Sequence, residues 1–207
     1  MIPKDKRFWF AVAAVVLATW TAAASVTAGV PTEQIRSTVD RAILVLKDPR
    51  LKPVAKTNER RDQLRQILFG RFDFTEMAKR ALGTNWRRRT AREQEEFVQL
   101  FTELVERAYS EIIESYTDEK IIYVGERLDG GYADVASKVL AGNGTEYSLN
   151  YKAHFVNSEW RVYDVIAENI SVVNNFRSQF NRVITKSSYE ELVRRLREKA
   201  DFGSPKR

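Results

Sequence analysis

Apolar residues recur every three or four positions through the first half of the chain and every second position through much of the second. From Pro31 to Leu46, Ile35, Val39, Ala42, Ile43 and Leu46 share one face of a 3.6-residue repeat, which predicts an amphipathic helix. Pro49 and Pro53 interrupt the pattern, and a second helix is expected from about Asn58 to Phe69. Asp73 with Glu76 has the spacing of a capping box, so a short helix should run from Phe74 to Leu82 and end at Gly83. Thr90 with Glu93 opens the longest helix. Its apolar stripe runs through Phe97, Leu100, Phe101, Leu104, Val105, Ala108, Tyr109, Ile112, Ile113 and Tyr116. At 1.5 Å per residue this helix reaches about 39 Å, longer than a small core needs, and its bulky aromatic face can line an elongated cavity.

After Thr117 the period changes from helical to alternating. Lys120 to Leu128, Tyr132 to Leu140, Glu146 to Val156 and Trp160 to Ile166 read as four strands. Their connections, Asp129-Gly-Gly131, Gly142-Asn-Gly144 and Asn157-Ser158, are short enough to make antiparallel neighbours. On the third strand Tyr147, Leu149, Tyr151, Ala153 and Phe155 share a face. Ser148, Asn150, Lys152 and His154 take the other, which places His154 toward water. Ser171 is positioned to cap a helix to about Lys186, and Ser187 with Glu190 to start a last one ending near Ala200. The fold class is therefore α+β: a four-stranded curved antiparallel sheet covered by several α-helices, with an N-terminal helical part. That arrangement resembles a nuclear-transport-factor-type (NTF2-like) cone.

The stretch WRVYDVIAENISVVNNFRSQFNRVI joins the last strand to the helix after it. Asp164 is the lone carboxylate of the strand, and Glu168-Asn169 forms the bend. Val172, Val173, Phe176, Phe180 and Val183 then recur on one helical side, with Asn174 and Asn175 off that stripe.

The N-terminus adds a compartment. MIPKDKR is basic, FWFAVAAVVLATWTAAA is apolar, and small-residue cleavage motifs end at Ala24 and at Ala28. This is the three-part pattern of a secretory signal peptide over residues 1–28, with an uncleaved anchor as the competing reading. Export would place the remainder in the periplasm. With 43 % hydrophobic and 30 % charged residues, the 207-residue chain has a composition that suits one well-packed domain or two small ones. The formal charge of +6 falls to +4 without Lys4, Lys6, Arg7 and Asp5, too little and too scattered for a nucleic-acid partner. Trp86-Arg87-Arg88-Arg89, the densest basic run, reads as a solvated turn.

Chemistry is scarce. The absence of cysteine and the single histidine exclude thiolate and multi-histidine metal sites, a triad is disfavoured because His154 falls on the wet face, and no phosphate loop is present. Asp134 and Asp164 could work as an acid–base pair only if the fold brought them together inside a cavity. No catalytic residue, metal or cofactor is expected; a small-molecule enzyme on an NTF2-like fold is the weaker alternative.

Three blocks carry a resemblance: FDFTEMAKRALGTNW (Phe72 to Trp86), REQEEFVQLF (Arg92 to Phe101) with the tyrosines of the long helix, and WRVYDVIAENISVVNNFRSQF. In that order and spacing the chain resembles the MlaC family, the toluene-tolerance or phospholipid ABC-transport auxiliary proteins, from about Pro31 to Leu196. The resemblance implies a single lipid-binding domain over 29–207: a helical part at 31–117, a sheet at 120–166 and C-terminal helices at 171–200. It also implies a carrier of phospholipid between an inner-membrane MCE/ABC transporter complex and an outer-membrane lipoprotein–porin complex, maintaining outer-membrane lipid asymmetry. A branch of the family is associated with hopanoids, which leaves the cargo open. Many members have Glu-Gly where this chain has Glu168-Asn169, and asparagine tolerates the positive backbone angle that glycine there implies. The residues expected to line the acyl-chain cavity are Phe72, Phe74, Met77, Leu82, Phe101, Val105, Tyr109, Ile113, Tyr147, Leu149, Tyr151, Val165, Val172, Val173 and Phe176.

Overall fold

The computed structural model describes residues 30–198. The expected signal segment and the C-terminal tail lie outside the described residues. Six helices and one five-stranded antiparallel sheet follow in the order α1 (Pro31–Lys47), α2 (Thr57–Phe69), α3 (Phe74–Leu82), α4 (Ala91–Glu114), β1 (Lys120–Asp129), β2 (Tyr132–Leu140), β3 (Glu146–Val156), β4 (Glu159–Ala167), β5 (Ile170–Ser171), α5 (Val172–Lys186) and α6 (Tyr189–Arg197).

The helix starts come from local side-chain chemistry. Asp73 accepts the Glu76 amide (2.8 Å) at the head of α3. At α4, Thr90 and Glu93 bond reciprocally, the Glu93 amide to the Thr90 hydroxyl (3.3 Å) and the Thr90 amide to the Glu93 carboxylate (2.7 Å). Ser171 caps α5 by accepting from the Asn174 amide (3.0 Å). For α6 the cap is Ser188, one residue after the expected Ser187, because its hydroxyl is the one that accepts a first-turn amide, that of Glu191.

The sheet is an open meander with strand order β1-β2-β3-β4-β5, five strands where four are expected. The additional strand is two residues long, too short to show periodicity. It forms because Glu168 and Asn169 both take positive φ (47° and 65°) and fold Ile170 and Ser171 back onto Ala167 and Ile166. Asn157 and Ser158 (50° and 65°) make the same kind of tight hairpin between β3 and β4.

A register shift in the β3–β4 pair decides how the layers stack. Lys152 faces Asp164 but Ala153 faces Val162, so Tyr163 is extra. Alternation turns Trp160 and Val162 to one side and Tyr163 to the other, and the bulge keeps Val165, opposite Tyr151, on the side of Val162. Two apolar cores result. On one sheet face Ala133, Val135, Tyr151, Ala153, Trp160 and Val162 pack against Ile35 of α1. Beyond the β4 edge, α3, α4, α5 and α6 enclose the second core, centred on Phe97, Phe101, Phe176 and Phe180.

Polar bonds tie the layers together. The Arg71 guanidinium donates to Gln34 Oε1 and the Trp160 carbonyl (both 2.8 Å) and to Thr38 Oγ1 (3.2 Å), joining α1 to β4. The amide of Asp73 donates to Val162 O, and Val162 N–H to Arg71 O, so residues 71–73 cover the β4 edge. Ion pairs from Arg60 and Arg61 to Glu114 and from Arg65 to Glu106 hold α2 against α4.

Gly83 ends α3 with φ 60° and ψ −131°, a region that residues with a Cβ rarely enter. An added Cβ would also lie 3.0 Å from Arg177 Nε, although that flexible side chain can move aside. Gly83→Ala should therefore lower unfolding free energy by about 1–3 kcal/mol through backbone strain. Urea denaturation reads this directly, and a loss below about 0.5 kcal/mol would mean that the turn relaxes.

Candidate functional site

Thirteen of the fifteen expected wall residues fall into or against the two cores, and Tyr147 and Ile113 lie outside them. Met77, Leu82, Phe101, Val172, Val173 and Phe176 are buried in the helical core, where Phe74, Val105 and Tyr109 pack against them. Tyr151 is buried in the sheet core, with Leu149 beside it. Phe72 and Val165 pack against both, which makes them the seam between the cores. Tyr147 is 45 % exposed at the far end of β3, and Ile113 is half-buried near the end of α4. The set is thus divided along one line, with helices on one side and sheet on the other.

The seam is chemically quiet. Tyr109, Tyr123 and Tyr151 are the phenols near it, and burial pushes all three up, Tyr123 to about 12, so they stay neutral at any physiological pH. The Tyr123 hydroxyl and the Trp160 indole nitrogen are buried with no hydrogen-bond partner. These two groups sit on the sheet side and could meet a polar group of an otherwise apolar ligand.

Neither sequence-picked carboxylate is placed to move a proton. Asp134 and Asp164 lie across from Lys152 on its two neighbouring strands. Asp134 accepts from Lys152 and Arg127 (both 2.8 Å), and these bonds, Lys152 first, hold its carboxyl below the usual range. Asp164 is buried and accepts from the Ser171 hydroxyl (2.6 Å) and the Val173 amide (3.1 Å). It fastens the end of β4 to the first turn of α5, the structural role that an acid in an apolar strand requires.

His154 is not turned freely to water as its strand alternation predicts. Its side chain is only 18 % exposed, and Nε2 shares a 2.9 Å hydrogen bond with Asp73 Oδ2. The ring stacks beside Tyr132 and meets Tyr163 edge-on. The strand face was read correctly, but α3 arrives to cover it. Among the described residues no group of His, Asp and Glu has the arrangement of a metal site.

Sequence reading missed a polar cavity of about 400 Å³ beside this corner, open to solvent between α3, the 3-10 turn at Gly83–Arg88, β4 and the first turn of α5. Its lining includes Lys79, Arg80, Arg87, Lys152 and Arg177, with Trp86 among them. The basic run is accordingly not one solvated turn. Arg89 turns inward over the Tyr189 ring (4.4 Å), whereas Arg87 faces the cavity. No single helix face carries this cluster, so no periodicity announces it.

The chain is similar to known proteins. The family model described as MlaC protein matches residues 36–198. The chain is 22 % identical over 126 residues to the intermembrane phospholipid transport system binding protein MlaC of Haemophilus influenzae, covering 58 % of this chain and 59 % of that protein, less than two thirds of its length. It is 26 % identical over 158 residues to the toluene tolerance protein ttg2D of Pseudomonas putida, covering 75 % and 74 %. Among solved structures, the phospholipid-binding protein from Ralstonia solanacearum in complex with a phospholipid is similar with a TM-score of 0.72 and 25 % identity. That match covers 82 % of this chain and 96 % of the other.

Proposed function

The chain belongs to the MlaC family, and from that membership we propose that it is a periplasmic phospholipid carrier, moving lipid between an inner-membrane MCE/ABC transporter complex and an outer-membrane lipoprotein–porin complex. In that role it maintains the lipid asymmetry of the outer membrane. The observation that carries the reading is the likeness, over 82 % of this chain and 96 % of the other, to a protein whose structure holds a phospholipid. The acyl chains enter along the seam, parting the sheet core from the helical core at Phe72 and Val165. The neutral phenols and apolar side chains there present little that a hydrocarbon chain would have to desolvate.

Energetics fit a shuttle. Each buried methylene contributes about 0.8 kcal/mol, so two chains of roughly fifteen methylenes give on the order of 20 kcal/mol gross. A bilayer offers nearly the same, so the net preference between protein and membrane is small and the cargo can be handed over. Direction then comes from the partners. No helix among the described residues is long and apolar enough to cross a membrane, consistent with a carrier that moves between two of them.

The test is mass spectrometry of an organic extract of protein purified from cells with a normal envelope. Stoichiometric phospholipid is expected. A hopanoid in its place would keep the carrier and change the cargo, and an extract free of lipid would remove the reading.

A further inference from the structure

We infer that the basic cavity beside α5 is the subsite for the phosphate group of the carried lipid, with Arg87 and Arg177 as the residues that bind it. The inference rests on the carrier reading and adds to it the place and chemistry of head-group recognition.

The charge balance of the cavity is one-sided. Lys79 and Arg80 share a single carboxylate, Glu76. Lys152 shares Asp134 with Arg127. The one carboxylate in the lining, Asp164, is taken up by the Ser171 hydroxyl and the Val173 amide. Arg87 and Arg177 have no carboxylate partner among the described residues. Two guanidinium groups with free donors, backed by three further cations, make a site for an anion of more than one oxygen, and guanidinium donors match a phosphate better than a halide. Other features fix the groups in place. Arg80 lies 4.0 Å over the Tyr163 ring, and Gly83, having no side chain, lets the Arg177 guanidinium rest against the backbone.

Continuity with the apolar interior argues for a lipid rather than a free anion. Tyr163 and Val173 line the cavity and also belong to the helical core, and Trp86 lines it while packing on that core. A ligand with its phosphate among the arginines would have its chains pointing into the core beside the seam residue Val165. The volume of about 400 Å³ is within the range of ligand sites and admits a phosphate with its glycerol.

The experiment uses the protein stripped of lipid and three probes: dihexanoyl phosphatidylglycerol, dihexanoylglycerol without phosphate, and inorganic phosphate. Binding is followed by tryptophan fluorescence and by calorimetry. Arg87→Gln should weaken phosphatidylglycerol roughly tenfold, and Arg87→Gln/Arg177→Gln roughly a hundredfold, with dihexanoylglycerol changed less than about twofold. Both arginines are exposed, so folding should survive, which thermal unfolding checks. Phosphatidylglycerol binding unchanged in the double variant, or equal losses for both lipids, would overturn the subsite. Inorganic phosphate bound by the unaltered protein as tightly as the lipid would make it a free-phosphate site instead. If the unaltered protein binds neither lipid, the carrier reading itself fails, and the subsite with it.

Discussion

Phe101→Ala is expected to lower the unfolding free energy by about 3–5 kcal/mol, with the urea dependence unchanged. Phe101 is fully buried and sits among three other phenylalanine rings. It meets Phe176 edge-on at 5.5 Å and Phe180 at 6.2 Å, and stacks on Phe97 at 6.2 Å. The contacts with Phe176 and Phe180 join α4 to α5. Removing the ring leaves a cavity bounded by α3, α4 and α5, which relaxes only in part, and it forfeits the edge-to-face contacts as well. A loss below about 1.5 kcal/mol would show that the helical core collapses around the gap. That outcome would mean a softer core than the ring packing indicates.

Asp164→Ala should cost about 2–4 kcal/mol, and Asp164→Asn markedly less. The carboxylate is buried and accepts two hydrogen bonds that close the β4–α5 corner. Alanine would leave the buried Val173 amide without a partner and the Ser171 hydroxyl with only the Asn174 amide donating to it. Asparagine keeps an acceptor for one of them. The measurement is paired: urea denaturation for the global loss, and amide exchange at Val173 for the local one. Exchange at Val173 should accelerate more than exchange at Phe180, deeper in the same helix. Equal stability of the alanine and wild-type proteins would sink the assignment of Asp164 as the fastener.

Much of this architecture was legible because the signals are short-range. A capping box is written in four adjacent residues, and Asp73 and Thr90 behave as that spacing predicts. Strand alternation and Gly- or Asn-bearing turns placed β2 and β3 to the residue, since each depends only on neighbours a few positions away. The positive φ at Asn169 is expected from the glycine that many members of the family have there, and the structure has it at 65°, with Glu168 at 47° beside it. Where two serines compete for one cap, as at Ser187 and Ser188, the sequence offers no basis for choosing between them.

The rest was decided by which faces meet. His154 alternates toward the outer face as read, yet α3 lies over it and Asp73 takes its ring nitrogen. The apolar stripes gave no sign that they would divide into two cores, because a stripe records that a face is buried and not what buries it. One extra residue, Tyr163, keeps Val162 and Val165 on the same side of the sheet although they are three apart, and Val165 with Phe72 forms the seam. The cluster of Arg80, Arg87, Lys152 and Arg177 arises from three elements and a turn, far apart in the chain. By itself the sequence determined the helices, four of the five strands, the caps of α3, α4 and α5, the tight turns and the family, all of which follow from local backbone preferences and ordered motifs. Only the tertiary structure decided the partition of the cores, the burial of His154 and the cationic cavity, because these depend on a strand register and on helix docking that couple residues across long separations.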